Sequence, residues 1–378
     1  MRRFSNFPLL IMKKIIWLPV LIVVLVVAWL GTSWYGGKRV EDKLNEQIGL
    51  MNEMWAASGG PKERIQIKQI SYERGLLSTH ARYALTIGAL PSDQSPEIDL
   101  TVRHGPFPGG LTPRKFALHA ELVSAGILKT VSDTAMGGKP PLAIDAACAY
   151  GGHCTGTGNI PAVNFAPAPQ FKLAFGGVRM QFDGEWHSET DHQTNASAQI
   201  LPLTINDQDF GSGQWTVTGN AQGFDETVIW KTDKGESKLA LAMTTARPVT
   251  SAELKAVKPE EILGFVGGLL KTASVKLALS KPMLVDMGAR GIHLAMGMEL
   301  DAAQEQVSQG LEEALAHDPR TKEFIQVQGD AIISDWQYAD GKLTVNGQDK
   351  PEVLAELMQA FKMGMEQAQR RQTAPDEK

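Results

Sequence analysis

Cys148-Ala149-Tyr150-Gly151-Gly152-His153-Cys154 is the sharpest local chemistry in the chain. Two thiols at C-x5-C spacing around a Gly-Gly turn can close a small disulfide loop in an oxidising compartment. Redox or metal chemistry through His153 is the other reading. The spacing is not C-x-x-C, and two thiols with one imidazole fall short of four zinc ligands. A structural disulfide between Cys148 and Cys154 is the leading expectation.

Other candidate chemistry is thinner. His104-Gly105-Pro106-Phe107-Pro108 follows a strand and stops it, because proline cannot donate to a ladder. His104 could serve as an acid or base, yet no nucleophile, paired carboxylate or second histidine lies near it in sequence; a structural corner is the plainer reading. In Glu185-Trp186-His187-Ser188-Glu189-Thr190-Asp191-His192, a single strand would put Glu185, His187, Glu189 and Asp191 on one face, a set able to hold a divalent ion. His192 would then face away, and a solvated sheet face or loop explains the run as well. Gly264-Phe265-Val266-Gly267-Gly268-Leu269-Leu270-Lys271-Thr272 lacks the spacing of a phosphate loop, and Gly211-Ser212-Gly213 lacks the frame of a nucleophile elbow. The former reads as a helix packed closely through its glycines, or as the wall of an apolar groove formed by Ile262, Phe265, Val266, Leu269 and Leu270. No catalytic set, cofactor or metal is expected, and the chain is expected not to be an enzyme.

The elements that would carry these residues follow a β grammar. Val40, Leu44, Ile48 and Met51 recur at helical spacing, predicting a helix over 36–57 that stops at Ser58-Gly59-Gly60-Pro61. The period then falls to two. Ile65, Ile67, then Ile70 and Tyr72 predict a strand with a slip in its alternation, Arg74-Gly75 a turn, and Ser78 to Ile87 the returning strand. Short β-branched and aromatic runs follow at 117–123, 171–175, 178–182, 196–203, 214–219, 227–232 and 238–244, the pattern of an antiparallel meander. Pro161 to Pro169 reads as a Pro/Ala-rich connection and an internal boundary. Helices are predicted at 259–273, 302–316 and 352–371, a strand at 275–279, and a hairpin turning at Ala339-Asp340-Gly341.

Composition adds a membrane. The 378 residues are 43% hydrophobic and 21% charged with two cysteines, which excludes a wholly disordered chain and a multi-cysteine metal framework. Ile15 to Tyr35 is a 21-residue run without a charge. As a helix it would extend about 31 Å, close to one hydrocarbon core, with Trp17 near one end and Trp29, Trp34 and Tyr35 toward the other. The expected organisation is a cytoplasmic tail over 1–14, a transmembrane anchor over 15–35, a juxtamembrane helix over 36–60, a β-rich periplasmic domain over 61–371 and a polar tail over 372–378. A cleaved signal peptide is the rival, but the run is long for one and no A-x-A-like site follows. Met12-Lys13-Lys14 would itself make a conventional start. Beyond residue 35 the chain has 33 basic and 42 acidic residues, a net of −9, so nucleic acid is not an expected partner.

Trp34-Tyr35-Gly36-Gly37-Lys38-Arg39-Val40-Glu41, Tyr72-Glu73-Arg74-Gly75-Leu76-Leu77-Ser78, Val102-Arg103-His104-Gly105-Pro106-Phe107-Pro108 and the stretch from Tyr338 to Gln348 stand in this order along the chain. Together they resemble the YdgA family of bacterial envelope proteins, a group classed by a domain of unknown function. The resemblance implies a protein anchored in the inner membrane of a Gram-negative cell with its bulk in the periplasm. It supplies no activity and no catalytic residues. A looser similarity to the AsmA-like lipid-transport proteins is one of architecture alone.

These readings converge on an α+β, β-rich fold, with an N-terminal transmembrane helix followed by an antiparallel curved sheet with a few packed helices. The expected role is that of a single-pass, non-enzymatic envelope protein. Its β-groove, under helices 259–273 and 352–371, would hold lipid or another apolar ligand. The alternative is an interaction scaffold, a homodimer or a dock for an envelope partner, working through the 37–57 stalk and the C-terminal helix. A hydrolase built on His104 or His187 is a remote third.

Overall fold

Successive strands return on their neighbours through short turns, which is the cheapest way to pair alternating sequences. The computed structural model describes positions within 38–52, residues 65–87, 95–257 and 261–360 apart from single positions, and Met363. The chain runs through β1 (Ile65–Arg74), β2 (Ser78–Ile87), β3 (Glu97–His104), β4 (Phe116–Val123), β5 (Ala143–Cys148) and β6 (His153–Ile160). After an excursion through β7 (Val163–Ala168) and β8 (Phe171–Phe175) come β9 (Val178–Ser188) and β10 (Asp191–Ile200). A second excursion, β11 (Leu203–Ile205) and β12 (Gln208–Asp209), precedes β13 (Ser212–Asn220), β14 (Gly223–Thr232), β15 (Gly235–Thr245) and β16 (Leu270–Ser280). The last strands are β17 (Gln326–Gln328), β18 (Ala331–Ala339), β19 (Lys342–Val345) and β20 (Gln348–Asp349).

Sixteen of these strands form one sheet, ordered β1-β2-β3-β4-β5-β6-β9-β10-β13-β14-β15-β16-β18-β19-β20, with β17 paired to β18. The two excursions pair with each other as a separate four-stranded sheet, β12-β11-β8-β7. The expected slip in β1 is a bulge between Gln69 and Ser71. The expected hairpin turns at Asp340 and Gly341, both at positive φ as a two-residue β-turn requires.

Both excursions leave the main sheet through a proline on one arm and a glycine on the other, Pro161 with Gly177 and Pro202 with Gly211. Gly177 has φ 98°, and a Cβ there would collide with the Ile160 carbonyl, so the corner demands glycine. Hydrogen bonds from Leu201 N–H to Gly177 O and from Gly176 N–H to Pro202 O tie the two corners together, each 2.9 Å. The stretch Pro161 to Pro169, expected as a connection, is thus mostly strand. Its Pro167 is tolerated because β7 is an edge, and the pairing slips between Phe165 and Ala168.

Helices cover the sheet sparingly. Leu44 and Ile48, in the helical positions within 38–52, pack on the cluster of Ile67, Ala81, Tyr83, Leu100 and Val102. The Asn52 side chain accepts the Ile67 N–H at 2.9 Å and donates to its carbonyl at 3.0 Å, which fixes that helix to β1. The helix α1 (Gly126–Ala135) lies by β7. Two short helices follow β15, α2 (Ser251–Ala256) and α3 (Ile262–Leu269), and α3 gives way to β16 at Leu270. The expected helix over 259–273 therefore ends earlier, where Gly267 and Gly268 leave it poorly supported. Then come α4 (Lys281–Met296), α5 (Leu300–His317) and α6 (Pro319–Phe324), and residues 351–360 are helical again. Among the described residues no helix is long and apolar enough to cross a membrane. The expected anchor over 15–35, the tails over 1–14 and 372–378 and most of 361–371 lie outside them.

The sequence reading passes over α4, although it carries boundary signals. Ser280 accepts the Met283 N–H, Pro282 sits in the first turn, and Gly297 ends the helix at φ 69°. Within it the Arg290 Nε lies 2.8 Å from the Asp286 carboxylate, with side chains 14% and 5% exposed. The guanidinium also donates to the Asp209 carbonyl at 2.6 Å, so α4 is clamped to the small sheet. Arg290→Ala would leave Asp286 buried without its counter-charge. It is expected to lower unfolding free energy by about 3 kcal/mol in denaturant titration; an unchanged midpoint would contradict the clamp.

Candidate functional site

Residues directly opposite in an antiparallel ladder share a face, and the face alternates along each strand. One continuous row runs Leu118–Ala146–Gly156–Phe182–Ala196–Val217–Glu226–Leu241–Val275–Trp336–Val345 from β4 to β19. A second row on the same face runs Ala120–Ile144–Gly158–Met180–Ala198–Trp215–Val228–Leu239–Leu277. The opposite face carries His119, Asp145, Thr157, Gln181, Ser197, Thr216 and Thr227 at matching positions. The sheet is therefore apolar on one side and polar on the other along almost its whole length. On the polar side His119 Nδ1 donates to the Asp145 carboxylate at 2.8 Å, and that hydrogen bond raises the pKa of the imidazole.

The apolar face is only partly covered. Phe182, Val217, Val228, Leu239, Leu241 and Leu277 are half-buried. The Ser237 hydroxyl meets Met283 of α4, and the Trp230 indole donates to the Phe210 carbonyl at 2.8 Å. Those contacts place α4 and the end of the small sheet along one margin of the face. What remains is a trough with a cavity at each end.

The first cavity, of about 620 Å³, has Phe116, Ala146, Cys148, Cys154, Phe182 and Gly184 in its lining. Gly156 is obligatory beside it, since a Cβ there would overlap the Phe182 ring that lies across β6. Cys148 and Cys154 stand opposite each other in the β5–β6 register and are joined by a disulfide. His153 faces the other side of the sheet, 3.0 Å from Glu185 and 3.4 Å from Asp183. It is thereby separated from the two sulfurs by the pleat, and the redox or metal reading through it loses its geometry.

The second cavity, of about 610 Å³, is lined by Val266, Leu270, Val275, Trp336, Leu354 and Leu357 among others. It lies between α3, strands β16, β18 and β19, and the 351–360 helix, where the sequence reading places a groove. Val266 faces it from the helix and Leu270 from the start of the strand, whereas Phe265 and Leu269 are not in its lining. The side chain of Ile262 lies outside the described ones.

The remaining candidates are not brought together. His104 is buried against the Thr79 hydroxyl, 3.2 Å from Nε2, inside the β2–β3 core. The run Glu185 to His192 is a hairpin rather than one strand: Ser188 ends β9, Asp191 begins β10, and Glu189 sits in the turn. His192 stacks on Trp186 at 4.5 Å, on the apolar face. Among the described residues no group of three or more His, Cys, Asp and Glu is arranged to hold a metal ion.

Sequence reasoning missed Glu226. It is half-buried, with Val217 and Leu241 as its cross-strand neighbours, and its Oε1 accepts the Trp215 Nε1–H at 2.6 Å. The signal was present: Phe224, Val228 and Trp230 make the even positions within β14 apolar, and Glu226 interrupts that run with a charge.

The disulfide closes the β5–β6 hairpin at the floor of the first cavity. For a loop this short, replacing Cys148 and Cys154 together by Ser is expected to cost about 2 kcal/mol of stability. Thermal and denaturant unfolding with and without reductant would read this; equal stability would show that the ladder alone holds the hairpin.

Comparison with known proteins places the chain in a family without assigning it a role. It matches the family described as "Bacterial protein of unknown function (DUF945)" over residues 12–226 and 225–352. It is 26% identical over 208 residues to "Protein YdgA" of Escherichia coli (strain K12), covering 49% of this chain and 41% of that protein. It is 28% identical over 88 residues to an "Uncharacterized protein" of Haemophilus influenzae, covering 23% of this chain and 24% of that one. The chain thus spans less than half the length of the curated relatives it matches. No solved structure matches it. With a long antiparallel sheet, a few helices and family matches extending from the region before the first strand to the helix after the last one, the chain belongs to the DUF945 family of bacterial proteins.

Proposed function

We propose that this is a membrane-anchored periplasmic protein that holds the acyl chains of lipid on the apolar face of its long sheet. The observation that carries this reading is the long, predominantly apolar face joining two cavities. At about 4.8 Å between strands, the path from β5 to β18 runs roughly 38 Å. A fatty acyl chain reaches about 15 Å, half of one hydrocarbon core, so the trough has room for chains placed end to end. Each methylene moved from water onto such a surface contributes about 0.8 kcal/mol. A large apolar surface left half-exposed on a soluble body is characteristic of an interaction site.

Two further features support a lipid over another apolar ligand. The uncharged run 15–35 directly precedes the helical segment 38–52, and Asn52 fixes that segment to β1. On this reading the β1 end of the sheet stands next to the bilayer and the trough leads away from it. The polar opposite face keeps the exported body in water while the apolar side is reserved for its ligand. Enzymatic chemistry forms no part of the proposal.

Leu241 and Val275 are neighbours in the β15–β16 register on the trough floor. Full-length protein extracted in mild detergent is expected to retain lipid detectable by native mass spectrometry. Leu241→Asp and Val275→Asp are each expected to reduce that lipid at least about ten-fold, because a carboxylate on the floor must be desolvated when a chain covers it. Ala240→Asp, on the polar face, should leave it unchanged. Lipid-free wild type, or equal loads in all three variants, would contradict the proposal.

A further inference from the structure

Glu226 is the single acidic residue on the apolar face among the described registers from β5 to β16, where His192, at the far end of β10, is stacked on Trp186. On its own strand Phe224 and Val228 flank it on that face, and across the ladders it meets Val217 and Leu241. It lies in the row that joins the cavities. Phe182 of the first cavity is three strands away, about 14 Å, and Val275 of the second is two strands away, about 10 Å.

The carboxylate is held in one orientation. Trp215 Nε1 donates to Oε1 at 2.6 Å, and Oε2 takes no hydrogen bond among the described residues. Among the described residues no lysine or arginine forms an ion pair with it, and its neighbours on the face are all apolar. In the empty trough water can solvate Oε2. Acyl chains laid over the floor would expel that water, and an ionised carboxylate stripped of water without a counter-charge is strongly disfavoured. A ligand that brings its own cation removes this penalty and gains a charge-assisted hydrogen bond. An ammonium group supplies three donors and a positive charge, whereas a headgroup carrying only a phosphate charge would be repelled.

We infer that Glu226 and Trp215 form a headgroup subsite midway along the trough, which takes the ammonium group of an aminolipid whose chains run toward the cavities. This rests on the lipid reading above and specifies the class of lipid. The subsite divides the path from β5 to β18 into arms of about 24 Å and 14 Å, the second close to the reach of a leaflet's acyl chain.

The test uses full-length protein in mild detergent, incubated with vesicles of phosphatidylethanolamine or of phosphatidylglycerol bearing the same acyl chains, with retained lipid measured by mass spectrometry. Wild type is expected to retain the ethanolamine lipid about ten-fold more than the glycerol lipid. Glu226→Gln keeps an acceptor for the Trp215 indole and removes the charge, so the ratio should fall to about one. Trp215→Phe keeps an aromatic floor and frees the carboxylate from its orienting bond, so the ratio should fall part-way. Equal retention of both lipids by wild type, or an unchanged preference in Glu226→Gln, would overturn the subsite and leave Glu226 as the acceptor of the indole alone. Retention of neither lipid by any form would overturn the lipid reading along with it.

Discussion

Pleat alternation kept in phase across successive ladders is the constraint on which this molecule depends. In an antiparallel pair, opposite residues share a face, so a one-residue slip in any ladder would swap the faces of everything beyond it. From β2 to β16 the registers pass without such a slip through the rows that carry Leu100, Ala120, Ile144, Met180, Ala198, Trp215, Val228, Leu239 and Leu277. Within the main sheet the irregularities sit at strand ends or at the first hairpin, Gln69/Ser71, Asp191/His192 and Thr244/Thr245, where they leave the central rows intact. An apolar surface longer than any single element could offer follows from that continuity.

A sheet of this kind faces the problem of its own uncovered side. Here the helical segment within 38–52 covers the β1–β4 end and the 351–360 helix overhangs β16–β19. Between them the two proline-and-glycine corners turn strands out of the main sheet to build a margin. Arg290 then locks α4 onto that margin through Asp286 and the Asp209 carbonyl. The floor is left half-buried, flattened where Phe182 lies over Gly156. Against this background Glu226 is conspicuous, since a charged group on an otherwise apolar floor imposes a free-energy cost on any ligand that cannot compensate it.

Much of the β architecture was legible because it is local. The bulge near Ile70 shows in the broken alternation of Ile65, Ile67, Ile70 and Tyr72, and the last hairpin shows in Asp340-Gly341. Of the five residues expected to wall a groove beside the glycine-rich helix, Val266 and Leu270 line a cavity there, and Phe265 and Leu269 do not, because the turn from helix to strand at Leu270 rotates which side chains face inward. Strand β7 was hidden by Pro167, acceptable only at an edge that sequence cannot identify. Gly288 and Gly291 interrupt the apolar pattern of α4; Gly288 sits where a Cβ would press on Val307 of α5, so the residue that obscures the helix is the one that lets it pack. The hairpin tip at Glu189-Thr190 carries neither glycine nor proline, and the run around it passes for one strand. Which strands neighbour one another was beyond sequence, and with it the single apolar face.

The central claim is that one face of this sheet, and not the other, meets lipid. The most direct measurement places a photo-crosslinking amino acid in turn at each position from Lys238 to Met243 of β15, in the full-length protein within intact cells, and scores lipid adducts by mass spectrometry. Adducts are expected at Leu239, Leu241 and Met243, which share the apolar face, and not at Lys238, Ala240 and Ala242 between them. A pattern without that two-residue period, or no adduct at any of the six positions, would contradict the account.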